Sequence, residues 1–196
     1  MSWLVGHPRA AGVWGVVFVV LLLVSAAMVS IPTASTSGEK IVKFYSEHAS
    51  LIVLQQVVGV VALAAFVLFA ISLPRNRWLM PALAVLAITE LATNVVPLVI
   101  IASGSSADTA HNLTRVEDVL DDLFSIAIAA FVSAAALGQP VWLRIAAYAV
   151  ALAGVARAIA DPLGFSALDV IAPLAFVAFV LVFSVKLLVR PISAPA

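Results

Sequence analysis

Two long gaps in the distribution of charge constrain this chain more than any other feature. No Asp, Glu, Lys or Arg occurs between Arg9 and Glu39, or between Glu47 and Arg75, and both gaps are filled with Val, Leu, Ala and Phe. A helix needs about 20 apolar residues to cross roughly 30 Å of hydrocarbon, and each gap holds one. Further runs of the same kind follow. The spans read from the sequence are 11–31, 51–73, 78–102 (interrupted by Glu90), 121–138, 141–160 (carrying Arg157) and 167–188 (carrying Asp169). Composition rules out a soluble alternative: 64% of residues are hydrophobic and 10% charged, against about 45–50% and about 25% in soluble domains. A small water-soluble domain leaves too much surface in water to hide that excess. The fold expected is an all-α membrane protein, a single domain over residues 1–196 forming a six-transmembrane-helix bundle with short amphipathic outer segments.

The joints carry the turn residues such a reading needs: Pro32 with Ser35–Gly38, Pro74, Ser103–Ser106, Gly138–Pro140 and Pro162–Gly164. Pro81, Pro97 and Pro173 fall inside spans, where neighbouring helices can satisfy the freed carbonyls. The first apolar run exceeds the apolar region of a cleaved signal peptide, so it is expected to persist as a helix. Basic residues near span ends orient the bundle. Arg9, Arg75, Arg77, Arg144, Lys186 and Arg190 fall on one side, and Lys40, Lys43, Arg115 and Arg157 on the other. With Trp78 and Trp142 suited to an interfacial belt, both termini are expected in the cytoplasm, the membrane being a plasma membrane. Nine of the ten acids lie on the outer side or at outer helix ends; the tenth is Glu90. Three spans followed by three permit an inverted repeat, but the two halves show no self-similarity.

Several function classes drop out. Net charge is zero and no basic stretch exists, so no nucleic acid partner is expected. The chain has no cysteine, which removes disulfides and thiolate chemistry. No hydrolase or phosphate-loop motif occurs, and His7, His48 and His111 all lie outside the spans. The expectation is a protein without a cofactor that is not an enzyme. His111, Glu117, Asp118, Asp121 and Asp122 form no closed metal motif, and a solvated acidic face is the default for them. In the first outer segment, Ile41, Val42, Phe44 and Tyr45 alternate with Lys40, Lys43, Glu47 and His48 at helical spacing. It reads equally as a helix on the membrane surface or as an extension of the second span. Asn112 or Thr114, with Glu117 at capping-box spacing from Thr114, is a candidate cap for the second outer segment.

Polar groups inside the spans are the candidate site, because a charge at that depth needs a partner, a cavity or a proton. Glu90 sits mid-span with Asn94 one turn away on the same face. Gln55, Gly59 and Ala62 share a stripe. So do Asp118, Asp122, Ser125 and Ala129, followed by Ser133, and so do Gly154, Arg157 and Asp161. These faces point to one polar cluster, with Arg157 as a shared cation for Glu90 or Asp122 and with Asp161 at i,i+4 spacing. The residues proposed for binding or proton exchange are Glu90, Asn94, Asp118, Asp122, Arg157, Asp161 and Gln55.

The order of features also resembles that of uncharacterised six-helix integral membrane proteins of actinobacteria. There, the first span is followed by a segment similar to Glu39-Lys40-Ile41-Val42-Lys43-Phe44-Tyr45-Ser46-Glu47-His48, and the fourth is entered through one similar to Leu120-Asp121-Asp122-Leu123-Phe124. The resemblance covers roughly residues 10–190; it implies the topology and a bacterial plasma membrane, and transfers no activity. Two functions are consistent with the residues. One is an outward-facing polar pocket that binds or passes a small molecule, ion or lipid. The other is an accessory or structural subunit, in a homo-oligomer or with a membrane-complex partner.

Overall fold

The computed structural model describes residues 8–163 and 167–189. His7, Gly164 and Arg190 lie outside them. The described chain is all helix and turn: α1 Pro8–Ala26, α2 Gly38–Ile71, α3 Leu79–Ser103, α4 Ala107–Ala135, α5 Val141–Ala160 and α6 Ala167–Val189, with a 3₁₀ turn Asp161–Leu163 after α5. Each helix packs on the next, α6 returns to α1, and α2 also meets α4. The result is a ring of six up-and-down helices. The 27–37 and 104–106 links and the 3₁₀ turn lie at one end, called here the acidic end. The 72–78 and 136–140 links lie at the other.

Five helices are long and apolar enough to cross a membrane: α1, α2, α3, α6, and α5 with its 3₁₀ turn. Their outer faces are apolar as well; Ile88 is 68% exposed and Leu152 71%. A surface of that kind finds its solvent in lipid, and the chain is a multi-pass membrane protein. The sixth helix, α4, is the exception. Its first half carries Asp108, Arg115, Glu117, Asp118, Asp121 and Asp122, and the uncharged stretch begins only at Leu123. The expected fourth span is thus the second half of a longer helix, whose Ala127, Ile128, Phe131, Val132 and Ala134 are buried in the ring.

The outer segments resolve in the same way. Glu39–Ser50 is the start of α2, not a separate surface helix, and Asp108–Asp122 is the start of α4. The two extensions pack together through Ile41, Tyr45 and Ala110, forming a small apolar core with Ile52, Val96 and Ile100. The expected cap of α4 is corrected: Ser106 accepts from the Thr109 amide at 3.3 Å, while Thr114 lies mid-helix and donates its hydroxyl to the Ala110 carbonyl. Pro81 falls in the first turn of α3, where no intrahelical hydrogen bond is lost, so Pro97 is the internal proline of that helix.

Phenylalanine fills the half of the ring away from the acidic end. The Phe66 ring lies 4.8 Å from Phe18, 4.7 Å from Phe131 and 5.8 Å from Phe176, centroid to centroid. Phe69 and Phe183 continue the stack at 5.9 Å, edge to face. At the far edge Asn76 donates to the Ala134 carbonyl and Lys186 to Gln139 Oε1, tying the two links and α6 together. Trp78 and Trp142 are exposed at this end.

Candidate functional site

Between the acidic end and the aromatic stack lies a cavity of about 220 Å³ to which all six helices contribute. Its apolar wall includes Phe18, Leu63, Phe66, Leu86, Ile128 and Phe176; its polar wall is Glu90, Asp121, Ser125 and Arg157. Two close helix approaches shape it. A Cβ on Gly154 would sit 2.8 Å from the Ser125 carbonyl oxygen, and one on Gly59 would sit 2.8 Å from Asn94 Oδ1. Glycine at these positions lets α5 close on α4 and α2 on α3, as small residues do in membrane bundles.

Arg157, at the end of α5, joins three helices. Its Nε donates to Asp169 Oδ1 at 3.1 Å, and its Nη1 donates to the Asp121 carbonyl at 3.0 Å and to Ser125 Oγ at 2.6 Å. Asp122 Oδ1 is a more distant counter-ion at 4.0 Å. The placement suits both termini, with a cation in the last turn of α5 and an acid in the first turn of α6. Glu90 enters the cavity from α3. Asn94 Nδ2 donates both to its carboxylate Oε1 at 3.1 Å and to its backbone carbonyl at 2.7 Å. With Gly59 pressed against Asn94, the amide is fixed and so is the carboxylate.

The sequence-derived set therefore divides. Glu90 and Arg157 both line the cavity but form no ion pair with each other, Asn94 positions Glu90, and Asp122 faces Arg157 from outside the lining. Three assignments are corrected. Gln55 turns away to α1, where Nε2 donates to the carbonyls of Ser25 and Val29, both at 3.0 Å, and closes the open end of that helix. Asp118 accepts from the Ala34 amide at 3.0 Å and tethers the α1–α2 link. Asp161, despite its i,i+4 spacing, meets Arg157 only through the backbone, its N–H donating to the Arg157 carbonyl; the carboxylate that binds the guanidinium is Asp169 on α6. Asp121 was missed as a lining residue, although Glu117, Asp121 and Ser125 recur at i,i+4 along α4.

Glu117, Asp118, Asp121 and Asp122 are half-buried and not a solvated face. Glu117 Oε2 and the Tyr45 hydroxyl are buried beside each other with no other hydrogen-bond partner among the described residues. Burial, reinforced by the charges of Asp121 and Asp118, pushes the Glu117 carboxyl up to about 8. Asp118 is raised as well, chiefly by burial and against the pull of the Ala34 amide. Among the described residues, no three His, Cys, Asp or Glu side chains are grouped to hold a metal ion. No family model, curated protein or solved structure matches the chain.

Proposed function

We propose that this multi-pass protein binds a small amphiphilic molecule in its central cavity. One observation carries the reading: a single space lined by all six helices, with charge at one end and phenylalanine at the other. Roughly 150 Å³ of apolar cavity accommodates benzene, so the volume here suits a ligand of modest size. Phe66 and its neighbours close the ring axis below the cavity, which favours holding a ligand over passing one through. The polar wall of the cavity lies toward the acidic end, which we assign to the outside of a bacterial plasma membrane, with both termini cytoplasmic. Kinship with the six-helix actinobacterial proteins belongs to the same proposal and rests on the shared order of segments.

Native mass spectrometry of the detergent-purified protein tests the binding reading. Wild type is expected to retain a small molecule that Ala62→Leu, which fills the cavity without touching a charge, releases. Identical spectra for the two would defeat it. Orientation is tested by a cysteine introduced at Asn76 in this cysteine-free chain; labelling from outside intact cells would invert the assignment.

A second reading, a subunit whose polar cluster is only a clasp, draws on the three-helix pairing of Arg157. It predicts that Glu90→Gln and Arg157→Gln lose a co-purifying membrane partner together with stability.

A further inference from the structure

We propose, on the cavity-binding reading above, that the ligand is an organic cation: an amine or quaternary ammonium with an apolar body. The polar wall does not balance its own charge. Among the described residues Arg157 is the sole cation lining the cavity, and its charge is met by Asp169 at 3.1 Å and by Asp122 at 4.0 Å, both outside the lining. Its Nη1 is further committed to the Asp121 carbonyl and Ser125 Oγ. Two carboxylates, Glu90 and Asp121, then face the cavity with neither in an ion pair among the described residues. Glu90 receives only the neutral Asn94 amide, on Oε1. The Asp121 side chain has no hydrogen bond or ion pair among the described residues, since the contacts made by that residue go through its backbone carbonyl.

An anionic head group would meet those two carboxylates at close range, where like charges in a low-dielectric site repel strongly. A bare divalent ion would need six or so oxygen ligands, and most of this wall is hydrocarbon. An alkylammonium or arylammonium matches both parts of the cavity. Its charged head lies between Glu90 and Asp121, and its body rests on Phe18, Phe66 and Phe176, whose ring faces also attract a cation. Asn94, held against Gly59, keeps the Glu90 carboxylate aimed at the head.

The experiment uses three probes with the same chain and different heads: hexylamine, hexanoate and hexanol. Each is titrated at one pH and ionic strength into the full-length protein in a non-ionic detergent, with binding read by isothermal calorimetry and thermal unfolding. Hexylamine is expected to bind saturably and raise Tm, with hexanol weaker and hexanoate inert. Glu90→Gln and, separately, Asp121→Asn are each expected to weaken hexylamine by about tenfold or more, the size of a lost charge-assisted hydrogen bond. Using two variants keeps the test alive if one does not fold. Hexanoate or hexanol binding as tightly as hexylamine, with sensitivity to Ala62→Leu, would overturn the cationic assignment and leave the cavity reading standing. Hexylamine binding equally to wild type and both variants would also overturn it. If none of the three probes binds, the cationic assignment falls, and the retained-molecule comparison of wild type with Ala62→Leu still judges the cavity.

Discussion

The two halves of the ring hold together by different means. Toward the 72–78 and 136–140 links, seven phenylalanines interlock and every contact among them is apolar. Toward the acidic end, Arg157 and Gln55 join neighbouring helices and Asp118 holds the α1–α2 link, each through a side-chain hydrogen bond to a backbone group. The first arrangement is closely packed and leaves no polar group to satisfy. The second leaves buried oxygens on Tyr45, Glu117, Gln55 and Asp122 short of full hydrogen bonding, and it encloses the cavity. Lipid gives no hydrophobic drive for helix association, so packing and hydrogen bonds must supply it. Here the packing is concentrated in one half, which leaves the other free to carry unbalanced charge.

The largest effect should come from the aromatic half. Phe66 is fully buried and touches aromatic rings from α1, α4 and α6. Truncation to Ala removes those contacts and leaves a void beneath the cavity, at a cost of about 3–5 kcal/mol. Reversible unfolding in mixed micelles measures it. A loss smaller than that from Arg157 variants would mean that the polar half, not the aromatic one, anchors the bundle.

Next comes the Arg157 junction. Arg157→Met keeps the aliphatic volume but strands Asp169 and Asp122 beside Asp121, and breaking a largely buried pair in this way costs roughly 2–4 kcal/mol. Adding Asp169→Asn should restore a good part of that loss, because the second change removes a charge with no counter-ion. A double-mutant cycle reads the coupling directly. Purely additive losses would show that the 3.1 Å contact contributes nothing of its own.

How much of this the sequence discloses depends on the range of the interaction. The spans follow from composition along the chain, and the Glu90–Asn94 pair follows from i,i+4 spacing within one helix. The choice of acid on α4 is harder. Asp118 and Asp122 lie on a stripe with Ser125 and Ala129, yet Glu117 and Asp121 stand one residue earlier, about 100° around the helix, and it is Asp121 that lines the cavity. Only the packing of α4 between α3 and α5 decides between adjacent stripes. The Arg157–Asp169 pair crosses a turn whose course no local rule specifies. Gln55 reads as a polar group within a span; that its partners are the carbonyls of Ser25, in the last turn of α1, and of Val29, just beyond it, requires knowing where α1 stops, at Ala26, five residues short of the expected Ile31.

The smallest effect sharpens the contrast through pH. In the unfolded chain Glu117 titrates near 4.5, and in the bundle burial raises it to about 8. Between those values the folded state keeps a proton that the unfolded state has lost, so stability is highest below the lower value and falls as pH rises through the upper one. Asp118, raised for the same primary reason, acts in the same direction. Glu117→Gln replaces the acid with a neutral group of equal shape. Its Tm should therefore decline less than that of wild type between pH 5 and 9, with a gain at the alkaline end of about 1 kcal/mol once solvent screening of a half-buried side chain is allowed for. Phe66→Ala, by contrast, should lower Tm by a similar amount at every pH, since the rings around Phe66 belong to Phe18, Phe131 and Phe176, none of which titrates. Parallel pH profiles for wild type and Glu117→Gln would place the strain of the acidic end elsewhere, on Asp118 or on the Tyr45 hydroxyl.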